Sequence, residues 1–233
     1  MIDATNPRVL VSNAMKKAKK SAYHHGDLAR ALVTAAVDLI AKEGPDALTL
    51  REVAAAVGVT HAAAYRHFAD KEALLAAVAE EGYRGLAKSL GKAALSAETE
   101  PRKRLRRLGA AYVEFAMDRT AHYRVMAGPR LNEDGRFPSL ERAIADAFAS
   151  VLHEIERGQD AGVFREGAAR DLAIAVWIAA HGYVDLVLRR RLKVKSAKVA
   201  VDYFLTLFDP FVDGLARAPS ATRAPRREEK RRS

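Results

Sequence analysis

Residues 60 to 71 contain a set of side chains that can make directional contacts with another molecule. A hydroxyl, an imidazole and a phenol each form hydrogen bonds, a lysine adds a cation, and an alanine methyl offers an apolar contact. The chemistry that this set supports is non-covalent recognition, and it depends on how the backbone presents the groups. The side chains concerned are Thr60, His61, Ala62, Tyr65, His67 and Lys71.

The backbone before this set is defined by two capping signals and a glycine. Thr49 and Glu52 form a capping box, in which the hydroxyl and the carboxylate each accept a hydrogen bond from an unpaired backbone N–H group. A helix therefore begins at about Leu50, and Gly58 supplies the backbone freedom that ends it. Thr60 can cap the helix that follows.

The second helix is predicted from His61 to about Phe68, and a third begins at about residue 71. Two short helices joined by a tight glycine turn form a helix-turn-helix, whose second helix enters the major groove of DNA. The early residues of that helix meet base edges, and His61 is the main hydrogen-bonding candidate. The predicted base-contacting residues are Thr60, His61, Ala62 and Tyr65.

About fifty residues from Gly26 onwards resemble the DNA-binding domain of the TetR family of bacterial transcriptional regulators. The motifs that carry the resemblance are Leu48–Ala54, Gly58–Thr60, Tyr65–Phe68 and Asp70–Leu75. The resemblance implies that DNA phosphates are contacted by Thr49, Arg51, Tyr65, His67 and Lys71. Ala62 and Ala64 depart from the family pattern, in which glycine and a bulkier apolar residue are frequent. With three alanines in the second helix, we expect DNA shape or flanking sequence to contribute to recognition.

The formal charge of +10 is concentrated in the two terminal segments. Residues 1–25 carry five basic groups and one acidic group, and residues 217–233 carry seven and two. By contrast, residues 26–71 carry five basic and six acidic groups, so geometry must place this domain on DNA. The lysines at positions 16 to 20 could bind phosphates or a minor groove, or could belong to a solvated tail. For residues 217–233 the sequence favours a solvated tail.

The remaining periodicities are all helical, which predicts an all-α protein. We predict a DNA-binding domain over residues 26–71 and a helical effector-binding and dimerisation domain over residues 72–216. Five helices are expected in the second domain, at about residues 71–90, 101–120, 139–158, 168–192 and 196–216.

The last two helices lack a polar face. From Leu172 to Leu188 the only charged residue is Asp185, and residues 199–215 are similarly apolar. A helix that is apolar on all sides must be covered on all sides, which predicts a two-fold interface of four helices in a homodimer. The TetR resemblance implies the same pairing. The alternative is that both helices are internal to one subunit.

Trp177, His181 and Gly182 resemble the tryptophan, histidine and glycine signature of one C-terminal subclass of TetR-type regulators. Trp177 and His181 lie one turn apart, and Gly182 allows close backbone approach. These residues could line a pocket for a small-molecule effector. Alternatively, Trp177 is a core residue and His181 bonds a carbonyl. The candidate pocket residues are Tyr112, Phe115, Met126, Trp177 and His181, with Met117 and Tyr123 as further lining.

Several classes of protein are excluded by missing residues. Cysteine is absent, which excludes disulfide scaffolds and thiolate metal sites and is typical of the reducing cytosol. The segment from Gly85 to Lys92 fails the phosphate-loop spacing, and His153-Glu154 lacks the second histidine of a zinc protease. No catalytic residue, metal or cofactor is expected. No apolar run is interpreted as long enough to cross a bilayer, so we expect a cytoplasmic protein.

These patterns favour a homodimeric, ligand-responsive transcriptional repressor that binds double-stranded DNA at a palindromic operator. One alternative is an effector-independent architectural DNA-binding protein that relies on both basic tails. A helical enzyme is a third hypothesis, for which the sequence offers no catalytic constellation.

Overall fold

The computed structural model describes residues 25–216, with side chains from residue 28 onwards. This part of the chain forms nine helices and contains no strand, apart from an isolated bridge between Phe164 and Ala216. The prediction of an all-α fold is confirmed. The helices are α1 (His25–Glu43), α2 (Leu50–Val57), α3 (His61–Tyr65), α4 (Lys71–Ala94), α5 (Pro101–Asp118), α6 (Thr120–Met126), α7 (Pro138–Asp160), α8 (Ala169–Leu188) and α9 (Ala197–Gly214). The basic segment of residues 1–24 and the tail of residues 217–233 lie outside the described residues.

Helix boundaries differ from the sequence prediction by up to four residues, as at the end of α4 at Ala94, and one helix was not predicted. Helix α3 ends at Tyr65, before the expected Phe68, because the N–H groups of His67 and Phe68 both donate to the carbonyl of Ala64 and close a final turn. Helix α8 ends at Leu188. Helix α6 was not predicted, because the break at Arg119 carries neither a glycine nor a proline and α6 has no side-chain cap.

Among the described residues, the first of two compact units contains residues 25–87 and 115–147. Leu32, Ala36 and Ile40 form the buried stripe of α1, as the periodicity predicts. Val53 of α2 is fully buried, and α6 adds Ala121 and Val125 to the same core. Burial of these side chains is the main force that assembles the unit, at about 25 cal/mol per Å² of apolar surface removed from water.

The second compact unit contains residues 88–114 and 148–216 of the described part of the chain. Its core includes Phe204 and Phe208 of α9, whose rings stack with centroids 4.8 Å apart. Gly109 of α5 lies against them, since a Cβ atom there would be 2.8 Å from the Phe204 ring. The hydroxyl of Tyr183 in α8 donates to the carbonyl of Ala200 in α9 at 2.7 Å, which fixes these two helices to each other.

The second unit also contains a buried ion pair. Arg104 Nε and Nη2 each bind one oxygen of Glu154 at 2.6 Å. The same guanidinium donates to the carbonyls of Ala94 and Glu98 at 3.0 and 2.8 Å. One arginine therefore holds together α5, α7 and the end of α4, and its hydrogen-bonding capacity is nearly all used.

The sequence interpretation that no apolar run is long enough to cross a bilayer is wrong for α8. Over residues 169–188 this helix is long and apolar enough to cross a membrane by length and composition, and it is the one such helix in the described part of the chain. Its charged residues lie near its two ends, at Arg170, Asp171 and Asp185, which leaves a long uncharged stretch between them. Core helices of soluble proteins share this composition, so the finding by itself is weak evidence for a membrane span.

Candidate nucleic-acid interface

The turn between α2 and α3 has the geometry that the sequence predicts. Thr49 Oγ1 accepts from the N–H of Glu52 at 3.2 Å, and Glu52 Oε2 accepts from the N–H of Thr49 at 3.1 Å, so the capping box is complete. Gly58 adopts the left-handed conformation at φ 74° and ends α2. Thr60 Oγ1 then accepts from the N–H of Ala63 at 3.2 Å and caps α3. The helix-turn-helix is therefore defined by local hydrogen bonds.

Replacing Gly58 with alanine is expected to lower the free energy of unfolding by about 1 kcal/mol, because an L-residue in the left-handed region is strained. A Cβ atom there meets no neighbour within 4 Å, so backbone strain is the main contribution. Gly91→Ala is the matched control, because Gly91 is inside helix α4 and also has open space around it. Urea unfolding should show a loss for Gly58→Ala and none for Gly91→Ala. Equal stability of the two variants would contradict the role assigned to the turn.

The outer face of α3 carries the predicted base-contacting residues. His61, Ala62 and Tyr65 are exposed, whereas Ala64 is fully buried against the domain core. The rings of His61 and Tyr65 pack edge to face with centroids 4.4 Å apart. The helix therefore presents an imidazole and a phenol together to solvent. Thr60 is also exposed, although its hydroxyl oxygen serves as the cap.

The residues that the family resemblance assigns to phosphates surround this face. Arg51 is exposed at the start of α2. The Thr49 hydroxyl donates to the Glu52 carboxylate at 2.7 Å, so it is already engaged within the capping box. Lys71 Nζ donates to the carbonyl of Asp46 at 2.6 Å, which leaves further donors of the ammonium group for a phosphate. His67 is half-buried.

The residue before α4 has an electrostatic role that the sequence shows only in part. Asp70 Oδ1 accepts from the N–H of Ala73 at 2.8 Å and so caps α4. Its second oxygen, Oδ2, binds Arg136 Nη2 at 2.8 Å. The backbone N–H of Ala73 and the Arg136 guanidinium lower the pKa of the Asp70 carboxyl, because both stabilise its charged form. The capping carboxylate is therefore ionised at neutral pH.

Three predicted effector residues lie together in the second unit. The Tyr112 hydroxyl and His181 Nδ1 are 3.0 Å apart. His181 therefore bonds a side chain, whereas the alternative interpretation gave it a carbonyl partner. The Trp177 and His181 rings have centroids 5.7 Å apart, which confirms that they share one helix face. Burial lowers the pKa of His181, since desolvation disfavours the imidazolium. Trp177 is 40% exposed, which argues against a purely core role.

The other predicted effector residues lie in the first unit. The Phe115 ring is buried and lies 3.1 Å from the position of a Cβ atom on Gly85. The Met126 Sδ atom is 2.5 Å from the equivalent position on Gly82. Both glycines thus let α4 approach these side chains closely. Tyr123 is buried and Met117 is half-buried.

A groove of about 610 Å³ lies in the second unit, and none of the five candidate effector residues lines it. The guanidinium and carboxylate of the buried Arg104–Glu154 pair lie against it. Five of its ten lining residues carry charged side chains. The lining residues are Gly91, Ala94, Leu95, Arg104, Ser150, His153, Glu154, Glu156, Arg157 and Asp160.

Comparison with known families agrees with the helix-turn-helix geometry. The profile described as "Bacterial regulatory proteins, tetR family" matches residues 32–78, and the profile described as "Tetracyclin repressor-like, C-terminal domain" matches residues 105–213. The chain has a TetR-family N-terminal domain and a TetR-like C-terminal domain. The first match contains all of α2 and α3, and the second contains most of α5 and all of α6 to α8.

Individual relatives resemble different parts of the chain. An HTH-type transcriptional repressor of Mycobacterium tuberculosis (strain ATCC 25618 / H37Rv) is 42% identical over 52 residues, which are 22% of this chain and 28% of the relative. The match therefore spans less than a third of that repressor. A protein of unknown function from Rhodococcus sp. RHA1 is 32% identical, with a TM-score of 0.71 over 84% of this chain and 100% of the other.

The TetR fold is also shared with the regulator AibR, solved in complex with isovaleryl coenzyme A and operator DNA. The two structures superpose with a TM-score of 0.63 over 78% of this chain and 98% of AibR, at 17% identity. At this identity the similarity shows the fold alone.

Sequence reasoning on the TetR-type domain missed one residue beside the interface. Arg136 lies in the loop between α6 and α7, where the sequence shows only turn-forming residues. Its partners Asp70 and Glu72 are 66 and 64 residues away along the chain. A local pattern cannot pair residues at that separation, and the only signal was an arginine between two turn-forming segments.

Proposed function

We propose that this TetR-family protein is a transcriptional repressor that binds an operator through α3. The observation that carries the proposal is the exposed pair of His61 and Tyr65 on a helix capped at Thr60 and supported by the buried Ala64. The first residues of such a helix contact base edges in the major groove. As a DNA-binding regulator it acts in the cytoplasm. Thr60 and Ala62 complete the base-contacting set, and Thr49, Arg51, His67 and Lys71 hold phosphates.

The repressor acts as a homodimer through α8 and α9. Helix α8 exposes Ile178, Gly182 and Leu186, and these residues recur at intervals of four, so they form one stripe. A Cβ atom on Gly182 would meet nothing within 4 Å inside the subunit. The close backbone approach that the sequence predicts at this glycine is therefore left for a second molecule.

Helix α9 carries a matching apolar stripe. Val199, Tyr203 and Leu207 are exposed and also recur at intervals of four. Large apolar patches on a protein surface mark interaction sites. When two copies meet through the same patch, the contact is two-fold and buries both stripes in a four-helix interface. A two-fold dimer presents two α3 helices and so selects a palindromic operator, with half-sites one helical turn apart or a multiple of it.

A small-molecule effector binds beside Tyr112, Trp177 and His181. The Tyr112 hydroxyl and the His181 imidazole provide polar groups next to the Trp177 ring, which suits an amphipathic ligand. Phe115 and Met126 lie in the first unit and stay predictions from the sequence. The crystal structure of AibR holds both isovaleryl coenzyme A and operator DNA, so ligand and DNA binding are compatible with this fold. Membership of the Trp-His-Gly subclass is part of this proposal.

The DNA-binding role is tested with duplexes that the wild-type protein selects from a random pool. Tyr65→Ala and His61→Ala should each weaken binding to the selected duplex by about tenfold or more, since a good base contact contributes about 1–3 kcal/mol. His153→Ala is the matched control, because His153 is an exposed histidine of α7 outside the interface. The dissociation constants are measured by fluorescence anisotropy, and the footprint on the duplex should have two-fold symmetry. Unchanged binding by both α3 variants would contradict the placement of the interface.

A further inference from the structure

We propose that Arg136 is a positioning residue for the DNA-reading helix α3, because it fixes the first turn of α4, the helix that follows α3. This inference rests on the proposed function and adds a residue that does not itself contact DNA. The residues between the end of α3 at Tyr65 and the start of α4 at Lys71 are too few to absorb a shift of α4. Movement of the first turn of α4 is therefore passed to α3.

The Arg136 guanidinium binds two carboxylates of that turn at once. Its Nη2 lies 2.8 Å from Asp70 Oδ2, and its Nη1 lies 3.1 Å from Glu72 Oε2. Asp134, two residues earlier in the same loop, lies 3.8 Å from Nε. A planar guanidinium with several fixed donors suits two acceptors in defined positions, which a lysine ammonium does not match.

Asp70 transmits the position of Arg136 to the backbone of α4. One of its oxygens accepts from the N–H of Ala73, and the other binds Arg136, so the helix cap and the ion pair share one carboxylate. Lys71 holds the same turn from the opposite direction, since its Nζ donates to the carbonyl of Asp46 between α1 and α2. The first turn of α4 is thus held by side-chain contacts from two other segments.

The loop that carries Arg136 is itself fixed by a buried amide. Asn132 is 3% exposed, and its Oδ1 accepts from the N–H of Phe137 at 2.6 Å. Its Nδ2 donates to Glu141 Oε1 at 3.0 Å. The guanidinium of Arg136 lies over the Phe137 ring, 5.0 Å from the centroid. The arginine therefore projects from a defined loop conformation.

A further hydrogen bond joins the start of α7 to α4, away from the Arg136 contact. Ser139, at the start of α7, donates from Oγ to Glu80 Oε2 at 2.7 Å. The loop thus contacts the start of α4 at Asp70 and Glu72, and the first turn of α7 contacts the same helix at Glu80. The first set of contacts acts on the start of α4, next to α3, and the second acts further along the same helix.

The side chains of Arg136, Asp70 and Glu72 are all more than a third exposed. Their ion pairs therefore contribute little to the free energy of unfolding. The Arg136 contact instead fixes the orientation of the first turn of α4, and DNA binding depends on that orientation. Removal of the arginine should therefore weaken specific DNA binding while the midpoint of thermal unfolding stays nearly unchanged. A role in stability alone would change these two quantities together.

The experiment compares Arg136→Gln with Arg130→Gln on the duplex that the wild-type protein selects. Arg130 is an exposed arginine of the same loop whose contact with Glu141 is 3.8 Å, so it controls for loss of one positive charge. Arg136→Gln is expected to weaken binding about five- to tenfold and Arg130→Gln less than twofold. Amide hydrogen exchange of the free protein should become faster at residues 66–74 in Arg136→Gln alone.

The variant Asp70→Asn separates positioning from direct attraction of DNA. Asparagine keeps the helix cap, since its side-chain oxygen also accepts the N–H bond. If Arg136 acted as a cation on the phosphates, removal of the neighbouring negative charge would strengthen binding. Positioning predicts weaker binding, and it predicts that the double variant with Arg136→Gln is no weaker than the worse single variant.

Two results would overturn the inference. One is unchanged exchange at residues 66–74 in Arg136→Gln, and the other is equal DNA affinities for the Arg136→Gln and Arg130→Gln variants. If the wild-type protein selects no duplex, the proposed function fails, and the exchange measurement still decides whether Arg136 holds the first turn of α4. The failure of each proposal is therefore recognised separately.

Discussion

Replacing Ile178 with glutamate is expected to convert the proposed dimer into a monomer and to weaken binding to the selected duplex by more than a hundredfold. Ile178 is 63% exposed in the single subunit and lies at the N-terminal end of the apolar stripe of α8. In a two-fold interface the substitution places two unpaired carboxylates against an apolar surface, and burial of an uncompensated charge is strongly unfavourable. Sedimentation equilibrium measures the oligomeric state, and titration of the selected duplex measures the affinity.

Leu95→Glu is the matched control for this variant. Leu95 is 89% exposed between α4 and α5, outside both stripes, so a glutamate there should leave assembly and DNA binding unchanged. Leu207→Glu, on the stripe of α9, should behave like Ile178→Glu. A wild-type protein that sediments as a monomer, or an Ile178→Glu variant that remains dimeric, would contradict the proposed interface.

The variant Glu154→Gln is expected to lower the free energy of unfolding by about 3–5 kcal/mol. Glu154 is 3% exposed and binds two nitrogens of Arg104, which is itself buried. The glutamine leaves the guanidinium charge uncompensated away from water, and such a loss of one partner is far more costly than loss of a surface pair. Guanidinium chloride unfolding followed by circular dichroism measures the difference.

Glu156→Gln controls for the loss of one carboxylate on the same helix, because Glu156 is exposed. This change should alter the free energy of unfolding by less than about 0.5 kcal/mol. The double variant Arg104→Met with Glu154→Met should recover most of the lost stability, since a buried pair replaced by apolar side chains is often neutral. A Glu154→Gln variant as stable as Glu156→Gln would contradict the cost assigned to the unpaired guanidinium of Arg104.

The sequence predicts the helix-turn-helix with little error because its signals are local. The capping box at Thr49 and Glu52, the left-handed Gly58 and the cap at Thr60 each act over three residues or fewer, and all are present as predicted. The burial of Ala64 beside the exposed His61 and Tyr65 does not follow from that pattern, since residues three and four positions apart lie on the same side of a helix. The assignment of these residues to DNA stays a prediction.

For α8 and α9 the sequence shows that the helices are apolar, but it does not show which face of each helix is covered. The lack of charge in α8 predicts burial on several sides, and the structure divides the helix into a covered face and an exposed stripe. Trp177 illustrates the difference, because it is 40% exposed although tryptophan in an apolar helix is usually covered. Which face is covered depends on the neighbours α5 and α7, whose positions a single-helix pattern does not contain.

By itself, the sequence determined the all-α class, the helix-turn-helix and the apolar character of α8 and α9, because caps, turns and periodicity act between residues close in the chain. The tertiary structure decided the break that creates α6, the partnership of Tyr112 with His181 and the contact of Arg136 with Asp70. Those contacts join residues separated by tens of positions. Their geometry depends on how whole helices pack, and packing is set by the summed burial of many side chains rather than by any short motif.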